Sequence, residues 1–425
     1  MRRNAGSKRN RNGLIAALDV GSTKVCCLIA ATDDGEAPRI VGIGHQVSRG
    51  LRSGAVVDME AAEIAIRATV EAAEQMAGEN IRQAVVNISG GTPESRLIAY
   101  EISIAGHEIS DSDLRRVLDP AEARIEMAAE RDIIHAIPVG YTIDGNRGVR
   151  DPRGMFGERL GVNMHLVSAA SGVIRNLSTC VARCHLDIES VVVSSYASAL
   201  ATLVEDEKQL GVTLIDMGGG TTSIAVFFDG ELVHTDCVPV GGVHVTNDVA
   251  RGLSTPLDDA ERMKTLFGSA MPSPSDDRET INVPRIGEDD DAESGQVPRS
   301  MLVGIIRPRL EEIFEMVRAR LEMTGFDKVG GRRIVLTGGA CQLPGVPELA
   351  AMVLDKQVRV GRPRSVQCLA EAVSGPAFST CAGLLGIGTN AGSQMGANTT
   401  NQAYRPTEEP NGRLNRLGQW LREYF

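Results

Sequence analysis

Asp19 and Asp216 each close an apolar run, and each is followed by glycine and small hydroxyl residues, in "LDVGSTK" and "IDMGGGTTS". A carboxylate at a strand end beside such a turn suits work on phosphate. Glycines let backbone N–H groups approach phosphate oxygens, and small hydroxyls add donors. Either turn alone is also what a plain tight turn looks like. The pair, 197 residues apart (216 − 19), is more specific, because two such turns can clamp a nucleotide's phosphates from opposite sides. Gly21, Ser22, Thr23 and Lys24 would meet the β- and γ-phosphates. Gly218, Gly219, Gly220, Thr221 and Thr222 would close the other side, and Gly241 and Gly242 are further candidates for binding the nucleotide. Asp19 and Asp216 would hold Mg2+ through its waters, since magnesium dehydrates reluctantly.

Two further elements fit the same chemistry. Gly338 and Gly339 in "LTGGA" follow a strand, where a side chain would block a base or ribose, so they suit an adenosine contact. Glu261 and Lys264 in "ERMK" are three apart and share a helix face. They can bond ribose hydroxyls or pack along the base. The alternative for that pair is a solvated surface ion pair.

The elements needed to position these residues are legible in the periodicity. Residues 14–20, 24–30 and 39–47 read as three strands, followed by a helix capped by Asp58, with Ile64, Ile66, Ala68, Val70 and Ala73 on its apolar face and Gly78 at its end. The layout recurs in "GVTLIDMGGGTTSIAVFF" and "ELVHTDCVPV", with a helix starting near Val243. A duplicated β-β-β-α unit follows. Between Ser89 and Ser168 the pattern departs from this layout, with a helix interrupted at Pro120 and then short strands, and reads as an inserted subdomain. Residues 271–299 have loop composition. An amphipathic helix enters near Pro308.

Composition limits the function classes. A chain of 425 residues calls for more than one core, and 42% hydrophobic with 23% charged residues is a globular balance. A net charge of −11 argues against general affinity for nucleic acid. No run reaches the roughly 18 apolar residues of a spanning helix. The eight cysteines show no CxxC pair, and Cys180 and Cys184 read as buried thiols of a reducing compartment.

The last residues, "RLNRLGQWLREYF", follow a polar stretch that reads as a flexible tether. At 100° per residue, Leu414, Leu417, Trp420, Leu421, Tyr424 and Phe425 fall within an arc of about 140°. Arg413, Arg416 and Arg422 flank or oppose that arc. This is the pattern of a short interfacial helix on an anionic membrane surface. Its apolar burial is nearly offset by the entropy of ordering it, so one tail binds weakly and many tails bind through avidity. The alternative is a helix docked on the chain's own core.

The four elements in this order, "DVGSTK", "IDMGGGTTS", "ERMK" and "LTGGA", resemble the actin-like ATPase superfamily. An insert between "VVNISGG" and "NMHLVSAASGVIRNL", with "IIRPRLEEIFEMV" and "IVLTGGACQLPGV", resembles the FtsA family of bacterial cell-division proteins over nearly the whole chain. The resemblance implies an α/β actin-like fold of two ribonuclease-H-like lobes with an inserted subdomain and a C-terminal amphipathic helix. It implies a basic disordered tail (1–12), a first lobe core (13–88 and 169–206), the insert (89–168), a second lobe core (207–245 and 330–389) with its subdomain (246–329), a linker (390–410) and a membrane-targeting helix (411–425). It further implies ATP and Mg2+ as cofactors and filament formation by self-association. Tethering of the tubulin-like protein FtsZ at the division septum, on the cytoplasmic side of the inner membrane, is implied as well. Arg309 and Glu312 would receive the C-terminal peptide of FtsZ, and the insert would contact later division proteins. The alternative for Arg309 and Glu312 is a solvated helix face. Ser195 takes the place where relatives in the superfamily carry an acidic residue that orients water, which implies slow hydrolysis. A pilus-assembly ATPase of the PilM type, or a sugar or acetate kinase of the same superfamily, are the alternatives.

Overall fold

The structure, a computed structural model, describes residues 13–32, 38–119, 130–286, 295–364 and 373–390. The expected basic tail, the break at Pro120, the tether and the terminal amphipathic helix lie outside the described residues.

Two sheets share one plan. The first is built from β1 (Leu14–Val20), β2 (Lys24–Ala31), β3 (Arg39–Val47), and, after the ribbon β4 (Leu51–Arg52) and β5 (Ala55–Val56) and helix α1 (Met59–Ala77), from β6 (Gln83–Ile88). The insert contributes β7 (Glu94–Ser103), α2 (Asp111–Val117), β8 (Arg131–Ile143), β9 (Asn146–Val149) and β10 (Arg159–Ala170). Then α3 (Ser171–Arg183) and β11 (Asp187–Val193) return to the first sheet, whose order is β11-β6-β1-β2-β3. Helices α4 (Ser194–Thr202) and α5 (Glu205–Leu210) lead to β12 (Val212–Met217), β13 (Thr222–Phe228) and β14 (Glu231–Val238). Helices α6 (Gly242–Leu253) and α7 (Leu257–Phe267), strands β15 (Thr280–Val283) and β16 (Gly295–Pro298), and α8 (Arg299–Thr324) with α9 (Phe326–Val329) come next. Strand β17 (Arg333–Thr337), α10 (Val346–Leu354), β18 (Gln357–Val360) and α11 (Ser379–Asn390) complete the described chain.

The second sheet runs β14-β13-β12-β17-β18. In both sheets an antiparallel three-strand meander is extended by two parallel strands. The expected duplication is therefore present. Strands such as β1 and β12 are buried on nearly every residue, as sheets covered on both faces must be.

Local signals explain most boundaries. The Asp58 side chain accepts from Ala61 N at 3.1 Å and starts α1, and Gly78 ends it in the left-handed region. The buried stripe is Ala62, Ala65, Ile66, Thr69, Val70 and Ala73, a true 3.6-residue period, while Ile64 is 60% exposed against expectation. Helix α8 begins at Arg299, nine residues before the expected entry at Pro308. Pro308 removes one amide donor, but it and Gly304, whose carbonyl loses that donor, both face solvent, where water can replace it. Residues 271–299 are not wholly loop. Ile281 and Val283 alternate inward and pair β15 with β16. Cys180 is buried in α3 and Cys184 half-buried at its end, both as free thiols.

The insert is seated on both lobes by polar contacts. Val193 N–H donates to His135 Nε2 at 3.0 Å, and Ser95 Oγ meets His234 Nδ1 and accepts from Thr235 N, both at 2.9 Å. Burial holds His135 and His234 down to about 4, so both are neutral near pH 7.

The lobes meet along α4 and α11. One apolar core takes residues from both sheets and both helices, including Ala17, Val85, Leu214, Val335, Ala197 and Leu384. At the crossing, a Cβ on Gly383 would overlap the carbonyl of Ala197. Exchange to alanine normally favours a helix interior by about 1 kcal/mol. Here Gly383→Ala is expected to destabilise by about 1–3 kcal/mol through overpacking. The urea midpoint measures it, and an increase would mean that the helices do not cross so closely.

Candidate functional site

Both glycine-rich turns arrive where they were expected, at the ends of β1 and β12, and face each other between the lobes. Each closes its hairpin with a backbone bond, Gly21 N to Lys24 O at 3.0 Å and Gly218 N to Thr221 O at 2.9 Å. A cavity of about 170 Å³ is lined by Asp19, Gly21, Ser22, Thr23 and Lys24 from one side. Asp216, Gly218, Gly219, Gly220, Thr221, Gly338 and Gly339 line it from the other. The turns touch. A Cβ on Gly219 would collide with Thr23, and one on Gly220 with Ser22.

Each aspartate is held by donors that sequence reasoning missed. Asn87 Nδ2 donates to Asp19 Oδ1 at 2.7 Å and to Ser194 Oγ at 3.1 Å, while Asn87 Oδ1 accepts from Val20 N at 2.7 Å. Asp216 Oδ2 accepts from Ser198 Oγ at 2.5 Å and Thr380 Oγ1 at 3.0 Å. The other oxygen of each carboxylate has no protein donor among the described residues. The signal for Asn87 was available, as a polar residue inside the apolar strand "AVVNI". Ser198 and Thr380 come from α4 and α11, and no local pattern marks them.

The electrostatics are costly without a cation. Burial pushes Asp19 up to about 7, Lys24 and Asn87 pull against it, and the facing Asp216 pushes it further. Burial also raises Asp216, against its two hydroxyl donors and Lys24. Lys24 Nζ donates to Ala377 O at 2.6 Å and lies 3.4 Å from the Phe378 ring centroid.

A second cavity of about 380 Å³ adjoins the first at Thr23, Gly219 and Gly339. Gly242, Glu261 and Lys264 line it together with Leu310, Leu343 and Pro344. Glu261 and Lys264 are more than a solvated pair. Lys264 Nζ bonds Glu261 at 2.6 Å, Thr246 Oγ1 at 2.9 Å and the Gly242 carbonyl at 3.2 Å. Polar groups and apolar side chains lining one cavity suit a sugar and a flat ring.

Three expected residues face elsewhere. Thr222 is fully buried and donates to Val240 O at 2.8 Å. Gly241 lines neither cavity, and a Cβ there would strike the Gly218 and Gly219 carbonyls. Ser195 is fully buried with its hydroxyl unbonded among the described residues, and its neighbour Ser194 lines the cavity instead. One step along a helix turns a side chain by about 100°. Arg309 lines a third cavity and forms a two-point ion pair with Asp248 (Nη2–Oδ1 3.2 Å) as well as a contact with Glu312. No helix among the described residues is long and apolar enough to cross a membrane.

The buried carboxylate makes a test possible. The unfolded Asp19 ionises near 3.8 and the folded one near 7. Below about pH 4 both states are protonated and the site costs nothing; the cost grows as pH rises and is complete above about pH 7. Asp19→Asn is expected to stabilise the ligand-free chain on the order of 2–4 kcal/mol at pH 8. The gain should vanish toward pH 4 in denaturant titrations; a pH-independent effect would contradict the burial argument.

Comparison with known proteins agrees with this geometry. A family model described as cell division protein FtsA matches residues 213–383, and one described as the SHS2 domain inserted in FtsA matches residues 90–168. The chain is 45% identical to the cell division protein FtsA of Agrobacterium fabrum (strain C58), over 98% of this chain and 96% of that protein. The solved PilM–PilN type IV pilus biogenesis complex superposes with a TM-score of 0.62 at 17% identity, covering 88% of this chain and 98% of that one. MreB 5 of Spiroplasma citri bound to AMPPNP does so with a TM-score of 0.51 at 14% identity, covering 90% and 96%. These two likenesses concern the fold, which is the actin-like one. Identity of this extent over nearly the full length shows that the chain belongs to the FtsA family of cell division proteins.

Proposed function

We propose that this actin-like cell-division protein binds ATP with magnesium between its lobes and assembles into filaments in that state. The filaments tether the C-terminal peptide of FtsZ to the inner face of the cytoplasmic membrane and help recruit later division proteins. The observation that carries the nucleotide reading is the convergence of both turns and both carboxylates on one cavity, continuous with a larger one lined by Glu261, Lys264 and Gly339. Phosphates fit the first cavity and adenosine the second. The fold neighbour MreB 5 holds a nucleotide analogue, which supports the same use here.

The donor set fits magnesium. Two buried carboxylates facing each other are destabilised unless a cation lies between them, and each has one oxygen free of protein donors. No group of three metal-ligating side chains occurs among the described residues, so water and phosphate oxygens would complete the shell. Bound there, magnesium would neutralise phosphate charge. Lys24 and the backbone of Gly218–Gly220 would orient the phosphates, and Asn87 and Ser194 are the neutral groups positioned to bond a water. Neither is a carboxylate, which supports slow hydrolysis, and among the described residues no third carboxylate lines the cavity to act as the base a kinase needs.

The partner and membrane readings rest on Arg309, Glu312 and residues 411–425. A peptide carboxylate would compete with Asp248 for Arg309. The insert (89–168) would face the neighbouring subunit and later division proteins.

Asp216→Ala is expected to weaken binding of a fluorescent ATP analogue by about tenfold or more, since it removes a magnesium-facing carboxylate. Unchanged affinity would reject the cleft as the nucleotide site. In co-sedimentation with anionic vesicles, the full chain should bind better with ATP and magnesium than without. Deleting residues 411–425 should abolish that binding, and undiminished binding would refute the anchor.

A further inference from the structure

A third cavity, of about 200 Å³, opens on the outer side of the two turns. Ser22 and Gly220 line both it and the phosphate-sized cavity, so the two share a wall made of the turns themselves. The hairpin β4–β5 forms one side and is tied to the first turn by Gly54 N–H donating to Ser22 Oγ at 2.9 Å. Helices α6 and α8 form the other.

The charge of this cavity is unbalanced. Its wall carries three guanidinium groups, Arg52, Arg251 and Arg309, against one carboxylate, Asp248. Asp248 is consumed by Arg309, which also meets Glu312. Arg52 and Arg251 form no ion pair or hydrogen bond with the protein among the described residues. Arg52 belongs to the first lobe and Arg251 to the second. Two unpaired guanidinium groups facing one polar cavity repel each other and attract an anion with several oxygens.

We infer that this cavity is a second anion site, which takes the orthophosphate left when water displaces ADP from the γ-phosphorus in the adjoining cleft. The inference rests on the nucleotide reading above. Phosphate held by Arg52 on one lobe and Arg251 on the other bridges the mouth of the cleft. The lobes then stay together after cleavage, and the nucleotide state outlasts the chemistry. The site adjoins the phosphate-sized cavity across Ser22 and Gly220, so a phosphate released there has only the two turns to cross.

The test uses the full chain loaded with ADP and magnesium, dialysed to equilibrium against radiolabelled orthophosphate. Wild type is expected to bind one phosphate. Arg52→Gln and Arg251→Gln should each weaken it by about tenfold, and together abolish it. Arg52→Lys should recover part of the loss. Affinity for a fluorescent ATP analogue should stay within about twofold, because neither arginine lines the other two cavities. Phosphate affinity unchanged in the double variant, or no phosphate bound by wild type, overturns the site. If ADP fails to bind wild type while phosphate still depends on the two arginines, the nucleotide reading falls and the anion site stands. A single turnover with γ-labelled ATP separates the sources. Label retained longer by wild type than by the double variant identifies the cleavage product, and equal loss from both overturns that assignment.

Discussion

Two carboxylates that cannot both be comfortable are the point from which this molecule is organised. Asp19 and Asp216 are buried opposite one another; burial makes each costly to ionise, and Asp216 adds to the cost at Asp19. Nearly every polar feature nearby answers that problem. Asn87 supports one aspartate, Ser198 and Thr380 the other, and Lys24 acts on both. The glycines of the two turns let the lobes come close enough for the carboxylates to face the same space. A chain that only needed to be stable would have replaced both with apolar residues.

The supports also explain the wider architecture. Asn87 sits on the parallel strand beside β1, and Ser198 and Thr380 sit on the two helices that cross between the sheets. The duplicated sheet therefore supplies one aspartate per copy, and the elements joining the copies supply the groups that hold them. In the second lobe, α6 takes part as well. Its first amides, Gly242 N and Val243 N, donate to the Gly218 and Gly219 carbonyls at 3.0 and 2.8 Å. The same helix carries Asp248, the partner of Arg309, so the second turn and the surface of α8 are connected by one rigid rod.

Much of this was legible in the chain because it is written locally. A turn such as "DVGSTK" is set by glycine and hydroxyl residues at fixed spacing, and Asp58 and Gly78 mark the ends of α1 without help from tertiary structure. What escaped has a common physical character. Ser194 and Ser195 are adjacent and chemically identical, and only the azimuth of α4 decides which one meets the cavity. Thr221 still belongs to the turn, while Thr222 opens β13 and turns inward to Val240. The start of α8 ahead of Pro308 depended on that proline facing water, and the pairing of β15 with β16 on two buried side chains in a stretch rich in proline, serine and acids. Asn87 stood out as a polar residue within an apolar strand, but its partners are 67, 68 and 107 residues away.

The contact between Gly383 and the Ala197 carbonyl has a mechanical meaning. It holds α4 and α11 in backbone contact, so a relative rotation of the lobes would have its fulcrum near there. Ser198 follows Ala197 directly, and Thr380 lies one helical turn before Gly383, so the donors to Asp216 sit beside the fulcrum. Any turning of one helix on the other at that contact would move the two hydroxyls that hold Asp216.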